Sequence, residues 1–403
     1  MDISNKNYLT KLVLLIVLIF PFVANDKLYL LGIVLIIFYL LYLYVDVDAR
    51  KKLKRTRAYF NYKLNTITIL FFIYMSITFI FSLDRQKSLI SILTFTTGII
   101  IFFIVQYEFN KANSINLILK SYFAGALILS LYHVAKLLYI EISLGKKFDY
   151  LSNISFLTSG SLLAYFLIVP FFPALVMYIF KEKAFDTKFY LAVSVFSLIT
   201  IFTTKSPGAI VGIFIGLTIL SLLYSVKFIV ALIPTSIFLF LIPVFTRRQN
   251  TYFMISENFG RRGYMIEFLS LYKKRLFFGT GINTVDSLYF DFLQTKNVTY
   301  DLSLINKPFN LPFKILVEGG IFGAVLFIIL FVILVKSIIK YTKSYKVEIK
   351  YKAMYVGFLI SLIVIIALNF LDSFAFEPKL VISFFIVMGI MFASSSSKGI
   401  KNI

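Results

Sequence analysis

Long, uninterrupted apolar segments follow one another along almost the whole sequence, and they constrain the fold more than any other feature. Runs of about 20 apolar residues have the length of a helix that crosses the hydrocarbon core of a bilayer. The spanning strands of a barrel would instead alternate apolar and polar residues. We therefore predict an all-α, polytopic membrane bundle of about 12 transmembrane helices. The expected spans are 8–24, 28–45, 64–83, 88–107, 117–140, 156–180, 189–204, 208–226, 228–246, 311–339, 353–371 and 379–395.

The amino-acid composition excludes several classes of function. Hydrophobic residues make up 60% of the chain, and 41 Lys and Arg against 19 Asp and Glu give a formal charge of +22. In a soluble protein this excess would suggest nucleic acid, but in a membrane protein basic residues collect in cytoplasmic loops and beside anionic lipids. We expect membrane lipids and no nucleic acid as partners. The absence of cysteine excludes disulfides, thiolate metal sites and cysteine nucleophiles.

Lysine and arginine also predict the orientation, because cytoplasmic connections are enriched in them. The connection 49–63 holds seven basic residues and no acid. Counting helices from there places the Lys-rich connections 181–188 and 340–352 on the same side. We therefore expect a multi-pass protein whose N- and C-termini are cytoplasmic. The missing Trp and Cys, with abundant Lys, Ile, Asn and Phe, favour a bacterial source and hence the bacterial inner (cytoplasmic) membrane.

One long connection, 247–310, separates predicted helices 1–9 (1–246) from predicted helices 10–12 (311–403) and falls on the periplasmic side. The loop is unusually basic for that side. Its basic residues are Arg247, Arg248, Arg261, Arg262, Lys273, Lys274, Arg275, Lys296 and Lys307. Within it, residues 261–278 have the spacing of an amphipathic helix, which Gly279 and Gly281 should end. Such a helix is either a peripheral membrane anchor or a lid over an anionic, lipid-linked substrate.

Three stretches of the sequence form an ordered set of motifs. The first is Phe-Gly-Arg at 259–261, followed after a gap by Phe-Phe-Gly-Thr-Gly at 277–281. The second is PFNLPFKILVEGGIFGAVLF at 308–327, in which an acid precedes a Gly-x-x-Gly pattern. The third is TTKSPGAIVGIFIG at 203–216, in which Lys205 precedes Ser-Pro-Gly at 206–208, between two predicted helices. In their order and placement these stretches resemble the bacterial O-antigen polymerase and O-antigen ligase family.

The sequence departs from the family pattern at three positions. Phe309 stands where the family has histidine, Pro207 where it has a loop arginine, and Met265 where it has an aromatic residue. Because ligases are the members most tied to that histidine, the departures favour a polymerase over a ligase. A third hypothesis, from a different class, is a transporter or flippase of lipid-linked oligosaccharides; transporters, however, commonly show paired halves with matching broken helices.

The resemblance implies glycosyl transfer from an undecaprenyl-diphosphate-linked oligosaccharide, without a cofactor and without a metal. It leaves a chain-length regulator open as a further partner. Charge that develops on the lipid diphosphate needs positioned cations. Arg261 is the first candidate, because its planar fork can bind two phosphate oxygens at once. Lys205 is the second, since it sits beside the position of the family's loop arginine.

The remaining candidates are weaker. Glu318 is an acid inside a predicted membrane helix, where it either acts as a general base or pairs with Lys314, four residues earlier on the same face. The other predicted substrate-binding residues lie in or beside the loop, and two of them follow a helix end, where anchoring to the membrane interface is an alternative role. They are Arg262, Arg247, Arg248, Asn310 and Lys314.

Overall fold

The computed structural model describes most of the chain. The described residues are 2–46, 62–109, 111–144, 160–180, 185–204, 206–224, 268–270, 273–295, 310–343, 349–370 and 377–395. Over these residues the protein is helical and contains no strand, which confirms the predicted all-α class. The helices are α1 Asp2–Ile19, α2 Leu28–Val45, α3 Tyr62–Ile77, α4 Arg85–Glu108, α5 Ala112–Leu144, α6 Gly160–Ile179, α7 Phe185–Thr203, α8 Pro207–Tyr224, α9 Val285–Thr295, α10 Leu311–Lys343, α11 Ile349–Asn369 and α12 Pro378–Ser395.

Most of these helices suit a bilayer. Seven segments are long and apolar enough to span one, and four shorter helices are also apolar. The eleven segments are 25–45, 63–81, 85–108, 113–140, 160–179, 311–343, 351–369, 8–22, 187–203, 208–223 and 378–394. They correspond to eleven of the twelve predicted spans, and the remaining one, 228–246, lies outside the described residues. The chain is thus a polytopic membrane protein.

The bundle is organised around α6 and α4. Of the span in α6, 78% of the residues are buried inside the protein, against 22% for α2, which presents most of its apolar surface outward. Helix α6 packs between α7 and α11, while α4 packs between α2 and α12. Since lipid is as apolar as the core, exposed leucine and isoleucine on α2 and α10 mark the surfaces that face the bilayer.

Helix α10 lies at the edge of this bundle and positions the candidate site. It packs against α3 on one side and α11 on the other. Its first half carries the motif at 318–323 and meets the described part of the long connection, which includes α9.

Candidate functional site

Helix α10 is broken at Gly320, in the middle of the Glu-Gly-Gly motif. Gly320 has φ 66° and ψ −173°, a backbone conformation that is essentially restricted to glycine. A break of this kind leaves carbonyl and amide groups without their partners along the helix, and in a membrane protein those groups must be satisfied by protein. The position of the break therefore predicts that another segment lies directly against it.

That segment is the Phe-Phe-Gly-Thr-Gly stretch at 277–281. The backbone N–H groups of Thr280 and Gly281 donate to the carbonyl oxygens of Val317 and Glu318, at 2.8 and 3.2 Å. In the opposite direction, Ile321 N–H donates to the carbonyl oxygen of residue 276 at 2.7 Å. Two motifs separated by about 40 residues of sequence thus form one backbone-to-backbone contact, which we call the clasp.

Glycine is required on both sides of the clasp. Gly279 has φ 81°, and a Cβ atom there would overlap the carbonyl group of Glu318. A Cβ atom on Gly320 would overlap the carbonyl oxygen of Phe277 in the same way. The two backbones approach so closely because neither glycine carries a side chain. The glycines that mark the family pattern therefore have a structural reason in this protein.

The last turn of α3 and the connection between α3 and α4 support the clasp from the bundle side. The Tyr74 hydroxyl on α3 donates to the carbonyl oxygen of Gly319 at 2.7 Å. The Arg275 guanidinium donates to the carbonyl oxygen of Phe81 at 3.0 Å, and Leu83 N–H donates to that of Thr280 at 3.1 Å. These bonds fasten the described part of the long connection to the turn between α3 and α4, so both lie at the same end of the bundle.

Helix α9 is an element that the sequence analysis missed. Its apolar residues Val285, Leu288, Tyr289 and Phe292 follow the i, i+3, i+4, i+7 spacing of one helix face, and Thr284 precedes them. This spacing was a readable signal. The face packs against Phe268 to form a small core separate from the main one.

The prediction of one helix over 261–278 is only partly met by the structure. Residues 268–270 are helical, but residues 273–275 form a 3-10 turn and 276–278 a further turn, so the described end of the segment is not α-helical. The physical reason is the clasp, which takes the residue 276 carbonyl as a partner for α10. Gly279 and Gly281 do adopt positive φ after the segment, as a stop signal requires.

Glu318 lies at the junction of α10, α9 and the clasp and is fully buried. Its Oε1 atom is 3.8 Å from Lys314 Nζ, one turn earlier on α10, and accepts a hydrogen bond of 3.3 Å from Val285 N–H. Val285 is the first residue of α9, so the carboxylate meets the positive end of that helix dipole. The pairing of Lys314 with Glu318, which the sequence left as an alternative to catalysis, is present.

Two motif residues act as helix caps. The Asn310 side chain accepts a hydrogen bond of 3.0 Å from Phe313 N–H and so caps the start of α10. Ser206 does the same for α8, accepting from Ala209 N–H at 3.4 Å, with Pro207 at the first helical position. A Cβ atom at Gly208 would overlap the Tyr165 hydroxyl, which explains the third residue of that motif.

Five of the six cations predicted for the site are not described by the structure. Arg261, Arg262, Arg247, Arg248 and Lys205 lie outside the described residues. The predicted site residues that the structure does describe are Asn310, which caps the start of α10, and Lys314 and Glu318, which lie one turn apart near the start of that helix. Where the chain is described, no three His, Asp or Glu side chains are grouped in a way that could hold a metal ion.

These observations define a class: an all-α, polytopic membrane protein in which a broken helix is completed by a long connection at one end of the bundle. Residues 192–328 match the family model described as O-antigen ligase. The predicted resemblance to the O-antigen ligase and polymerase family is thus confirmed over this segment, which is about a third of the chain. A search of curated proteins finds no match.

The matched segment contains the motifs that form the clasp, together with Lys205 and Arg261. Members of this family are enzymes that transfer glycans, and they act on lipid-linked substrates within a membrane. The match indicates a function of the O-antigen ligase or polymerase type and is shared by both activities.

Proposed function

We propose that this protein is a surface-polysaccharide polymerase that joins undecaprenyl-diphosphate-linked oligosaccharide repeat units. The observation that carries the proposal is the family match over residues 192–328, inside which the motif at 277–281 contacts the motif at 318–323. A shared backbone contact is what we expect if both motifs build one site at the end of the bundle.

The reaction transfers the growing glycan from its lipid diphosphate to a hydroxyl group of the next lipid-linked unit. The acceptor oxygen forms a bond to the anomeric carbon, the bond from that carbon to the diphosphate oxygen breaks, and the acceptor proton leaves to a base or to solvent. The lipid diphosphate departs with the electron pair. Cations that stabilise this leaving group contribute most to the rate in such a step, and we assign that role to Arg261 and Lys205.

Arg262, Arg247, Arg248 and Asn310 remain proposed substrate-binding residues, alongside Lys314. The buried pair of Lys314 with Glu318 supports a structural role for that carboxylate, because Oε1 already serves both the ammonium group and the start of α9. We would assign Glu318 the role of general base only if its removal slows the chemical step without destabilising the fold.

A ligase, which would transfer the glycan to lipid A core, is the second candidate. The family model itself carries the description O-antigen ligase, and this favours it. Phe309, which cannot accept a proton, occupies the position of the histidine to which ligases are most tied, and this favours the polymerase.

The cellular setting is part of the same proposal. We place the protein in the bacterial inner membrane with both termini in the cytoplasm and the connection 247–310 in the periplasm, between helices within 1–246 and 311–403. The basic connection 49–63 supports this orientation. A chain-length regulator is a proposed partner, and no nucleic acid takes part.

The experiment is reconstitution of the purified protein in liposomes that contain the lipid-linked oligosaccharide. A ladder of products with rising repeat number supports the polymerase. Transfer that occurs only when lipid A core is added supports the ligase, and movement of the substrate across the bilayer without a new glycosidic bond supports a transporter. For the variant Arg261→Ala in this assay, the matched control is Lys27→Ala, which removes an exposed cation from the connection between α1 and α2, on the same predicted side.

A further inference from the structure

An apolar cavity of about 140 Å³ lies inside the bundle. Helices α10, α11 and α12 form most of its wall, and α3, α4 and α6 contribute single residues. Its lining on α12 runs from Leu380 to Met391, which is about 16 Å along the helix axis. The cavity is therefore elongated in the direction of the helices.

The lining offers little to a polar ligand. Two described lining residues have polar side chains, Ser361 and Asn369. The Ser361 hydroxyl is directed to the carbonyl oxygens of Ile168 and Val169, both at 3.1 Å, and the Asn369 amide nitrogen donates to Ile365 at 2.7 Å. A water molecule needs several polar partners to occupy a cavity, and an apolar cavity of roughly 150 Å³ stays dry. The lining therefore selects a hydrocarbon occupant.

One end of the cavity adjoins the candidate site. Leu311, the first residue of α10, is part of the lining. It follows the helix cap Asn310 directly and precedes Lys314 by three residues, so this end of the cavity lies at the level where the long connection docks. A chain that occupies the cavity from this end leaves its headgroup beside the clasp.

We propose that this cavity holds part of the hydrocarbon chain of the polyprenyl-phosphate lipid that carries the donor glycan. The identity of the lipid rests on the proposed function, whereas the demand for a hydrocarbon chain rests on the lining. The site positions the lipid so that its phosphate groups stay at the loop end of the bundle while the chain enters between α10, α11 and α12. An acyl chain of an ordinary phospholipid is the competing occupant.

The test uses tryptophan, which the chain lacks, as a local probe. Phe331→Trp places the probe in the cavity wall, and Val332→Trp places it on the next residue, which is 41% exposed toward the bilayer. Each delipidated variant is reconstituted in vesicles of brominated phosphatidylcholine, whose acyl chains quench tryptophan. Polyprenyl phosphate without a glycan is then added, with farnesyl phosphate as the short-chain comparison.

We expect polyprenyl phosphate to relieve the quenching of Phe331→Trp and to leave Val332→Trp unchanged, with a weaker effect of farnesyl phosphate. No change at Phe331→Trp, or an equal change in both variants, overturns the proposal and leaves the cavity to ordinary acyl chains.

A cavity-filling variant extends the test. Val387→Phe adds bulk to the lining and should abolish the relief measured in the Phe331→Trp background. Val325→Phe makes the same change at a position that is 48% exposed to the bilayer and should preserve the relief. Relief that survives Val387→Phe contradicts the assigned position of the chain.

This readout contains no glycan and is therefore independent of the proposed reaction. A protein that shows selective relief but transfers no glycan retains the lipid site and loses the proposed function. A protein that transfers glycan without selective relief retains the function and loses this inference.

Discussion

Gly320→Ala should dismantle the clasp, and the structure allows its cost to be worked out. The conformation of Gly320, φ 66° and ψ −173°, costs another residue about 1–3 kcal/mol. The new Cβ would overlap the Phe277 carbonyl oxygen, which is rigid backbone, so the two segments must separate. Separation breaks three backbone hydrogen bonds, each of which contributes about 0.5–1.5 kcal/mol. The expected loss is on the order of 3–7 kcal/mol.

The neighbouring residue provides a matched control. Gly319 belongs to the same motif but is not among the described glycines with positive φ. A Cβ there would meet the Met75 sulfur at 3.2 Å, which is the flexible end of a side chain. Alanine also has a higher helix propensity than glycine by about 1 kcal/mol. Gly319→Ala should therefore change stability by no more than about 1 kcal/mol, in either direction.

The assay is thermal unfolding of each variant in detergent, followed by size-exclusion chromatography with a fused fluorescent protein. One kcal/mol shifts the Tm of a long chain by about 2 °C, so we expect the Tm of Gly320→Ala to fall by roughly 10 °C. The Tm of Gly319→Ala should stay close to that of the parent protein. Equal shifts in the two variants, or a neutral Gly320→Ala, would show that the clasp does not hold the helix break as argued.

Three further predictions concern individual side chains. Arg261→Ala should abolish polymer while the protein still inserts and folds, and Arg261→Lys should be partly impaired because bidentate binding is lost; normal product ladders from the alanine variant would remove this residue from the mechanism. Glu318→Gln should destabilise the protein by about 3–5 kcal/mol, because Lys314 loses its buried partner; if adding Lys314→Met restores both the Tm and the activity, the carboxylate has no chemical role, and if the Tm returns without the activity, the reaction requires Glu318 or Lys314 itself. Tyr74→Phe should lower stability by about 0.5–1.5 kcal/mol through the lost bond to Gly319, and an unchanged Tm would mean that this hydroxyl does not support the clasp.

The positions of the helices followed directly from hydrophobic runs. The span predicted at 28–45 coincides with α2, Leu28–Val45, because its limits are set by Asp and Lys residues that cannot enter the hydrocarbon core cheaply. The break at Gly320 was not predictable in the same way, since it lies inside an apolar segment that hydropathy treats as continuous. Its cause is a partner segment about 40 residues earlier, and a long-range backbone contact leaves no periodic trace in either segment.

The contacts of the candidate site were likewise only partly predictable from the sequence. Residues four apart on one helix, such as Lys314 and Glu318, are predictable as a pair from spacing alone, and the pair is present. The donor from the start of α9 to the same carboxylate depends on tertiary structure. Helix α9 itself is predictable from the sequence, because Val285, Leu288 and Phe292 recur at the spacing of one helix face.

The clasp shows that several residues of the motifs have a structural role, so fewer of them remain candidates for catalysis. Gly279 and Gly320 are explained by the close approach of two backbones, and Asn310 and Ser206 by the capping of helices. A residue whose presence is fully explained by the fold is weak support for catalysis, even within a family pattern. Arginine and lysine side chains carry no hydrogen-bond acceptor, so they cannot cap the start of a helix as Asn310 and Ser206 do. The catalytic proposal therefore depends on Arg261 and Lys205, and substitutions there, rather than at the motif glycines, decide whether the site performs glycosyl transfer.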